Sequence, residues 1–286
     1  AISELGVDNL FLHFDELDQG LDKVDETRAR MLVGLILAAR EIGSSKDLRA
    51  NICPVVYLRT DIWEQLVFSD KNKITQSSAV LLEWDEDTLQ RLVNVRLEAR
   101  LGKGVTWEDI EDGGKMRGSQ SKWNHILART FLRPRDVIQF LNAALRLAKV
   151  RPDQILKFTN DDINGSRESY STYLKHELDD EIGPHWEFWS DGLQACSRTE
   201  TITFKKLDFV KHYRSLNRNG NSLDAERALE TMYRFSVIGY ESRTGGGGSS
   251  WSFRYTDPNS GWNSSAPRYK VHQGLKEFAK LKEERA

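Results

Sequence analysis

The chain has 286 residues, of which 39% are hydrophobic and 29% charged, with a formal net charge of -2; this excludes a disordered tail, a collagenous repeat and a disulfide-framed miniprotein. No apolar run reaches the roughly 18 residues of a membrane span, the longest candidate being the interrupted stretch at 31–39, and Cys53 and Cys196 lack CxxC spacing. These features point to one large domain or two unequal ones, without a zinc or disulfide framework, in the cytoplasm.

The chain begins at Ala1, with no basic n-region or cleavage pattern, and runs at once into a motif that normally lies inside a domain. It therefore reads as the C-terminal part of a longer protein. Residues 8–14 (DNLFLHF) form an apolar run ending in acids, which predicts a buried strand tipped with carboxylates. His13 within that run reads as a satisfied core histidine rather than a ligand. Over 22–41, Val24, Met31, Leu32, Leu35, Ile36 and Ala39 recur at helical spacing, and the helix stops before Gly43-Ser44-Ser45. A second apolar run at 52–58 (ICPVVYL) ends in Arg59-Thr60-Asp61. Strand, helix, strand of this length is a βαβ unit with a parallel sheet, and both strands end in polar residues at the edge where open α/β sheets bind ligands.

Residues 62–198 read as mostly helical. An amphipathic helix is expected over 84–101, with Asp85 and Glu86 at its start, followed by a Gly- and charge-rich loop at 102–122. Pro134 opens a helix carrying Val137, Phe140, Leu141, Ala144, Leu145 and Ala148, and another helix spans 169–190 through Tyr170, Tyr173, Leu174, Leu178 and Ile182. Trp186, Phe188 and Trp189 read as packing at a helix junction rather than as a stacking platform for bases.

The last segment predicts helices at 204–216 and 223–235, a strand at 236–240, a glycine loop at 245–248 and a strand at 251–255. A third strand at 269–271 and a closing helix at 272–284 follow. Helix, helix, strand, glycine loop, strand is the order of a winged helix, with the glycines as a natural wing tip. Charge divides along the same line: residues 1–198 carry 26 Lys+Arg against 33 Asp+Glu, and residues 199–286 carry 15 against 10. The basic surplus falls short of a dedicated DNA reader's patch. In a winged helix the second helix enters the major groove, but here it bears Asp224, Glu226 and Glu230 against Arg227 and Arg234. Lys205, Lys206, Lys211, Arg214 and Arg218 make the more basic cluster. Protein contact or relay of nucleotide state is therefore favoured over sequence-specific binding of duplex DNA.

The sharpest motif is 10–18, LFLHFDELD, which resembles the Walker B strand of P-loop ATPases. That resemblance implies that Asp15 holds Mg²⁺ and that Glu16 acts as the base orienting the attacking water. Arg59-Thr60-Asp61 stands where such ATPases carry sensor 1. Arg133-Pro134-Arg135-Asp136, opening a helix in the helical region, is similar to sensor 2, where a lid arginine reaches the phosphates. In that order, and with a winged helix at the end, the motifs resemble the AAA+ and STAND branches, particularly bacterial ATPases associated with phage defence. The fold implied is a partial parallel-sheet P-loop core over 1–70, a helical lid over 71–198 and a winged helix over 199–286, that is, α/β followed by mostly α.

The function implied is an ATP-dependent molecular switch, with ATP and Mg²⁺ as cofactors and a homo-oligomer or partner protein reached through the winged helix. The departure is the phosphate loop. No Gly-Lys pair is followed by Ser or Thr, since Gly102-Lys103 precedes Gly104 and Gly114-Lys115 precedes Met116, so this chain alone is expected to bind ATP poorly and to be inactive in hydrolysis. Two other readings stand beside this one: a non-enzymatic winged-helix DNA-binding or scaffold protein with a degenerate core, and an unrelated α/β enzyme.

Overall fold

The computed structural model describes residues 9–17, 26–45, 51–152, 156–216, 223–243 and 248–283. It is a mixed α/β structure in two compact units, Ala1–Leu82 and Glu83–Ala286. The expected placements of Val24, Arg218 and the glycines at 245–247 lie outside the described residues.

In the first unit, β1 (Asn9–Phe14) and β2 (Asn51–Val56) pair in parallel, with Asn9 opposite Asn51 and Phe14 opposite Val56. α1 (Glu26–Ser44) connects them, giving the βαβ order expected. Two short helices follow, α2 (Thr60–Gln65) and α3 (Lys71–Ser77). The core is small: Leu32 and Ile36 of α1 meet Ile62 and Leu66 from α2 and its end, and Ile74 of α3. β1 is not the buried strand that its composition predicts. Exposed and half-buried residues alternate along it, and Phe11 is 59% exposed, because among the described residues nothing is laid over the face that carries Phe11 and His13. His13 is likewise not a core histidine. It lies exposed and is satisfied by Tyr57, whose hydroxyl sits 2.9 Å from Nδ1 and whose ring stacks on the imidazole.

The second unit begins with α4 (Glu86–Leu101), which Asp85 caps by accepting the Thr88 N–H while Thr88 Oγ1 accepts the Asp85 N–H. The region expected as a loop holds structure. Thr106 and Asp109 form a second capping box that starts the four-residue α5 (Trp107–Ile110), and Trp107 is buried against Trp123 and Phe158. Then come α6 (Lys122–Leu127), α7 (Pro134–Val150), α8 (Asn160–Gly165) and α9 (Arg167–Ile182). α7 buries Val137, Phe140 and Ala144 as its periodicity predicts, while Leu145 stays 40% exposed.

The helix expected over 169–190 stops at Ile182, where Gly183 and Pro184 follow, and a separate helix, α10 (Trp189–Ser197), starts after the break. Trp186 and Trp189 are buried at that junction and Phe188 is 41% exposed.

β3 (Thr203–Phe204) occupies the start of the segment expected as helix, ahead of α11 (Lys206–Leu216) and α12 (Ala225–Arg234). β4 (Ile238–Arg243), β5 (Ser249–Ser252) and β6 (Tyr269–Val271) complete an antiparallel sheet in the order β3-β6-β4-β5. The closing helix expected over 272–284 is only a single 3-10 turn at Gln273–Leu275 followed by irregular turns. Lys280 there takes a left-handed φ of 54°, which breaks a helix. One hydrophobic cluster runs from Leu89 through Phe140, Tyr170 and Leu193 to Tyr269 and Leu281, so the helices and the antiparallel sheet share a core. Among the described residues, no helix is long and apolar enough to cross a membrane.

Candidate functional site at the strand tips

Parallel pairing in register brings the C-terminal ends of β1 and β2 level. The last ladder bond, from Tyr57 N–H to the Phe14 carbonyl at 2.9 Å, sets Asp15 and Glu16 beside the turn that leads into Arg59. The two acids are exposed. Asp15 Oδ1 accepts the Glu16 N–H at 2.8 Å, and this bond accompanies a left-handed backbone at Glu16, φ 57°. A non-glycine residue held there costs roughly 1 kcal/mol, which is the kind of strain found where a chain re-aims side chains at a functional edge.

Three residues past the end of β2, Arg59 is the N-cap of α2, and Thr60 and Asp61 form its first turn. Arg59 and Asp61 hold each other. Nε donates to Oδ1 and Nη2 to Oδ2, both at 3.0 Å, in the bidentate geometry that makes guanidinium–carboxylate pairs strong. Asp61 also accepts the dipole of the helix start favourably. Thr60 is exposed between them. Behind α2, Lys71 donates to the carbonyls of Trp63 at 2.7 Å and Leu66 at 2.8 Å and lies 5.3 Å from the Trp63 ring centroid. It satisfies the open carbonyls of the helix end and braces the turn. Sequence reasoning missed Lys71, since a lysine eight residues after Trp63 carries no local signal.

Arg133 and Arg135 belong to the second unit. Both are taken up by α9: Arg133 forms a fork with Glu181, its Nη2 donating to Oε2 at 3.3 Å, and Arg135 Nη1 donates to Glu177 Oε2 at 2.9 Å. Each guanidinium is held more strongly protonated; for Arg133 burial opposes this and the Glu181 charge outweighs it, and for Arg135 the hydrogen bond to Glu177 leads. Next to Arg135, Asp136 is 2% exposed and accepts the Phe131 N–H at 3.1 Å. Burial pushes its carboxyl up to about 6 despite Arg133 nearby.

The structure thus brings Asp15 and Glu16 to the same sheet edge as Arg59, Thr60 and Asp61, and it places Arg133 and Arg135 together on another unit. Residues 87–179 match a family model described as the FunZ-associated C-terminal helical domain, so the stretch from α4 to α9 is similar to that domain. No match was found among curated proteins or among solved structures.

Proposed function

We propose that the chain carries part of the nucleotide site of a P-loop ATPase that uses ATP as a conformational switch. One observation carries the reading: the parallel strands end level, so that an Asp-Glu pair and an Arg-Thr-Asp triplet share the edge where such sheets hold ligands. The matching family model is that of a C-terminal helical domain, which suits α4 to α9 as a lid that follows a core.

ATP with Mg²⁺, when bound, supplies the phosphoryl group and the divalent charge. Asp15, an exposed carboxylate at the strand tip, fits a hard cation that prefers oxygen ligands. Glu16, re-aimed by its left-handed backbone, orients a water and accepts its proton. Thr60 offers a hydroxyl to phosphate, and Arg59 is kept in place by Asp61 until a phosphate oxygen competes for its fork. Arg133 and Arg135 act as lid arginines if they exchange Glu181 and Glu177 for phosphate.

The test uses the native gene product that contains these residues. Expected are Mg²⁺-dependent ATP hydrolysis, a drop in kcat of about 100-fold or more in Glu16→Gln with ATP binding retained, and a weakened Mg²⁺ requirement in Asp15→Ala. Unchanged turnover in Glu16→Gln, or a native product with no GxxxxGK[ST], overturns the reading. Plaque counts on bacteria carrying the wild type or Glu16→Gln test the role in phage defence.

For residues 199–286 we propose a winged helix that contacts protein rather than duplex DNA. Glu226 at the start of α12 takes Lys206 and accepts from Trp262 Nε1 at 3.1 Å, so one lysine of the basic cluster is already paired with an acid. Tight duplex binding at 150 mM salt would refute this, because the expected binding is weak and vanishes with salt.

A further inference from the structure

Arg129, at the end of α6, is only 4% exposed, and no described carboxylate lies within ion-pair distance of it. Its Nη1 donates to the His125 carbonyl at 3.3 Å, and its Nε is buried without a partner. A second guanidinium stands close by: Arg167, in the first turn of α9, donates from Nε to His125 Nε2 at 3.0 Å and from Nη2 to Asn164 Oδ1. It too has no carboxylate partner among the described residues.

The imidazole between them accepts from Arg167 at Nε2, so Nδ1 carries the proton, facing Gln120 Oε1 at 3.3 Å. Burial and then the charges of Arg129 and Arg167 push His125 down to about 3, so it stays neutral. Burial, followed by the charge of Arg167, lowers Arg129 to about 10, still protonated at neutral pH.

Two acids stand near. Glu283 is engaged by Lys276 at 2.7 Å and Gln273 at 3.2 Å, with Arg117 at 3.7 Å. Glu277 acts on both arginines through its charge yet makes no ion pair with either, and its Oε2 is itself buried and unpartnered. Arg117, Arg129, Arg167 and Lys276 therefore outnumber Glu277 and Glu283. A buried guanidinium that no carboxylate pairs directly is unfavourable. Arg129, just past α6, and Arg167, at the start of α9, both bond to His125, and the guanidinium N–H groups not taken by His125 and Asn164 suit one oxyanion that accepts from both.

We propose that Arg129 and Arg167, spaced by neutral His125, form a binding site for a phosphate-type dianion. The site is independent of the strand-tip edge and of any reading of it.

The probe is inorganic phosphate, titrated into the full chain at constant ionic strength and pH 7.5, with binding read by calorimetry and by the thermal midpoint. Expected is saturable binding that raises the midpoint and that chloride does not reproduce. Arg167→Gln, which alters a half-buried side chain and leaves the core in place, weakens the affinity about tenfold or more. Glu277→Gln tightens it, because a nearby like charge is removed. A midpoint that follows ionic strength alone, an affinity unchanged in Arg167→Gln, or a Glu277→Gln variant that is destabilised with no gain in phosphate affinity overturns the proposal. The last outcome would make Glu277 the internal counter-ion of the two arginines. Sulfate binding as tightly as phosphate would support a site for dianions of this shape.

Discussion

Lys122 illustrates what a single buried charge requires. Its side chain is fully enclosed, and the ammonium is held by Glu111 at 3.0 Å, by Asp112 and by the Gly114 carbonyl at 2.7 Å. All three of its donors are used, which ties the segment between α5 and α6 to the helix that carries His125. Lys122→Met removes the charge and leaves two acids that reach solvent, so a loss of about 3 kcal/mol is expected in urea denaturation. A loss below about 1 kcal/mol would mean that the acids repel one another little. Asp136 presents the opposite case. Its raised carboxyl makes the ionised form a burden in the folded state, and that burden is relieved as pH falls from above 6 towards the unfolded value near 3.8. Asp136→Asn keeps an acceptor for the Phe131 N–H and removes the charge. It is expected to stabilise the protein by about 2 kcal/mol at pH 7.5 and by little at pH 4, measured as paired denaturation curves.

Helices and strands with local causes are legible in the sequence. α4 follows from Asp85 and its periodicity, α7 from Pro134 and a clean apolar stripe, and the βαβ start from two apolar runs with a helix between them. What escaped depends on distant partners. Phe204 reads as helix but pairs with Tyr269 across the sheet, and Trp107 sits in a Gly-rich stretch yet anchors on Phe158. The residues of the strand-tip edge were legible as a motif, but the Arg59–Asp61 fork and the Lys71 brace needed the fold. Arg129 and Arg167 carry no motif at all, being 38 residues apart in sequence and joined only through His125. Glycines test the same distinction. A Cβ at Gly192 in α10 would come 2.6 Å from the Trp186 ring and 3.1 Å from Met232 Sδ, whereas one at Gly34 in α1 meets nothing within 4 Å. Gly192→Ala is expected to cost about 2 kcal/mol and Gly34→Ala to gain about 0.5–1 kcal/mol. Equal effects in denaturant midpoint would contradict this packing.

Across the second unit, acid should weaken the fold. His272 is 1% exposed, accepts the Gly274 N–H at Nδ1 and is pushed by burial, with Lys270 and Arg129 adding to it, down to about 3. His125 is displaced in the same direction. A histidine with a lowered folded value leaves the unfolded chain holding the extra proton between pH 6.5 and 3, so stability is lost as pH falls through that window. Over two units of pH the loss is about 3 kcal/mol for His272 alone. The relief at Asp136 runs the other way but is smaller than the two histidines together. The thermal midpoint is therefore expected to fall steadily from pH 6.5 to pH 4, and His272→Gln should flatten part of the slope. A midpoint that rises on acidification would show that the carboxylate dominates.

The stitching of residues 273–283 has a consequence for synthesis. Phe278 N–H reaches Ser171 Oγ, Ser197 Oγ reaches the Ala279 carbonyl, and Ile202 and Glu200 exchange bonds with Lys282. Because these partners are 80 to 107 residues apart in the chain, α9 and α10 must wait with an open seam while translation proceeds. A nascent chain arrested before residue 283 clears the exit tunnel should be cut readily by protease within α9–α10 and become resistant once that stretch is free.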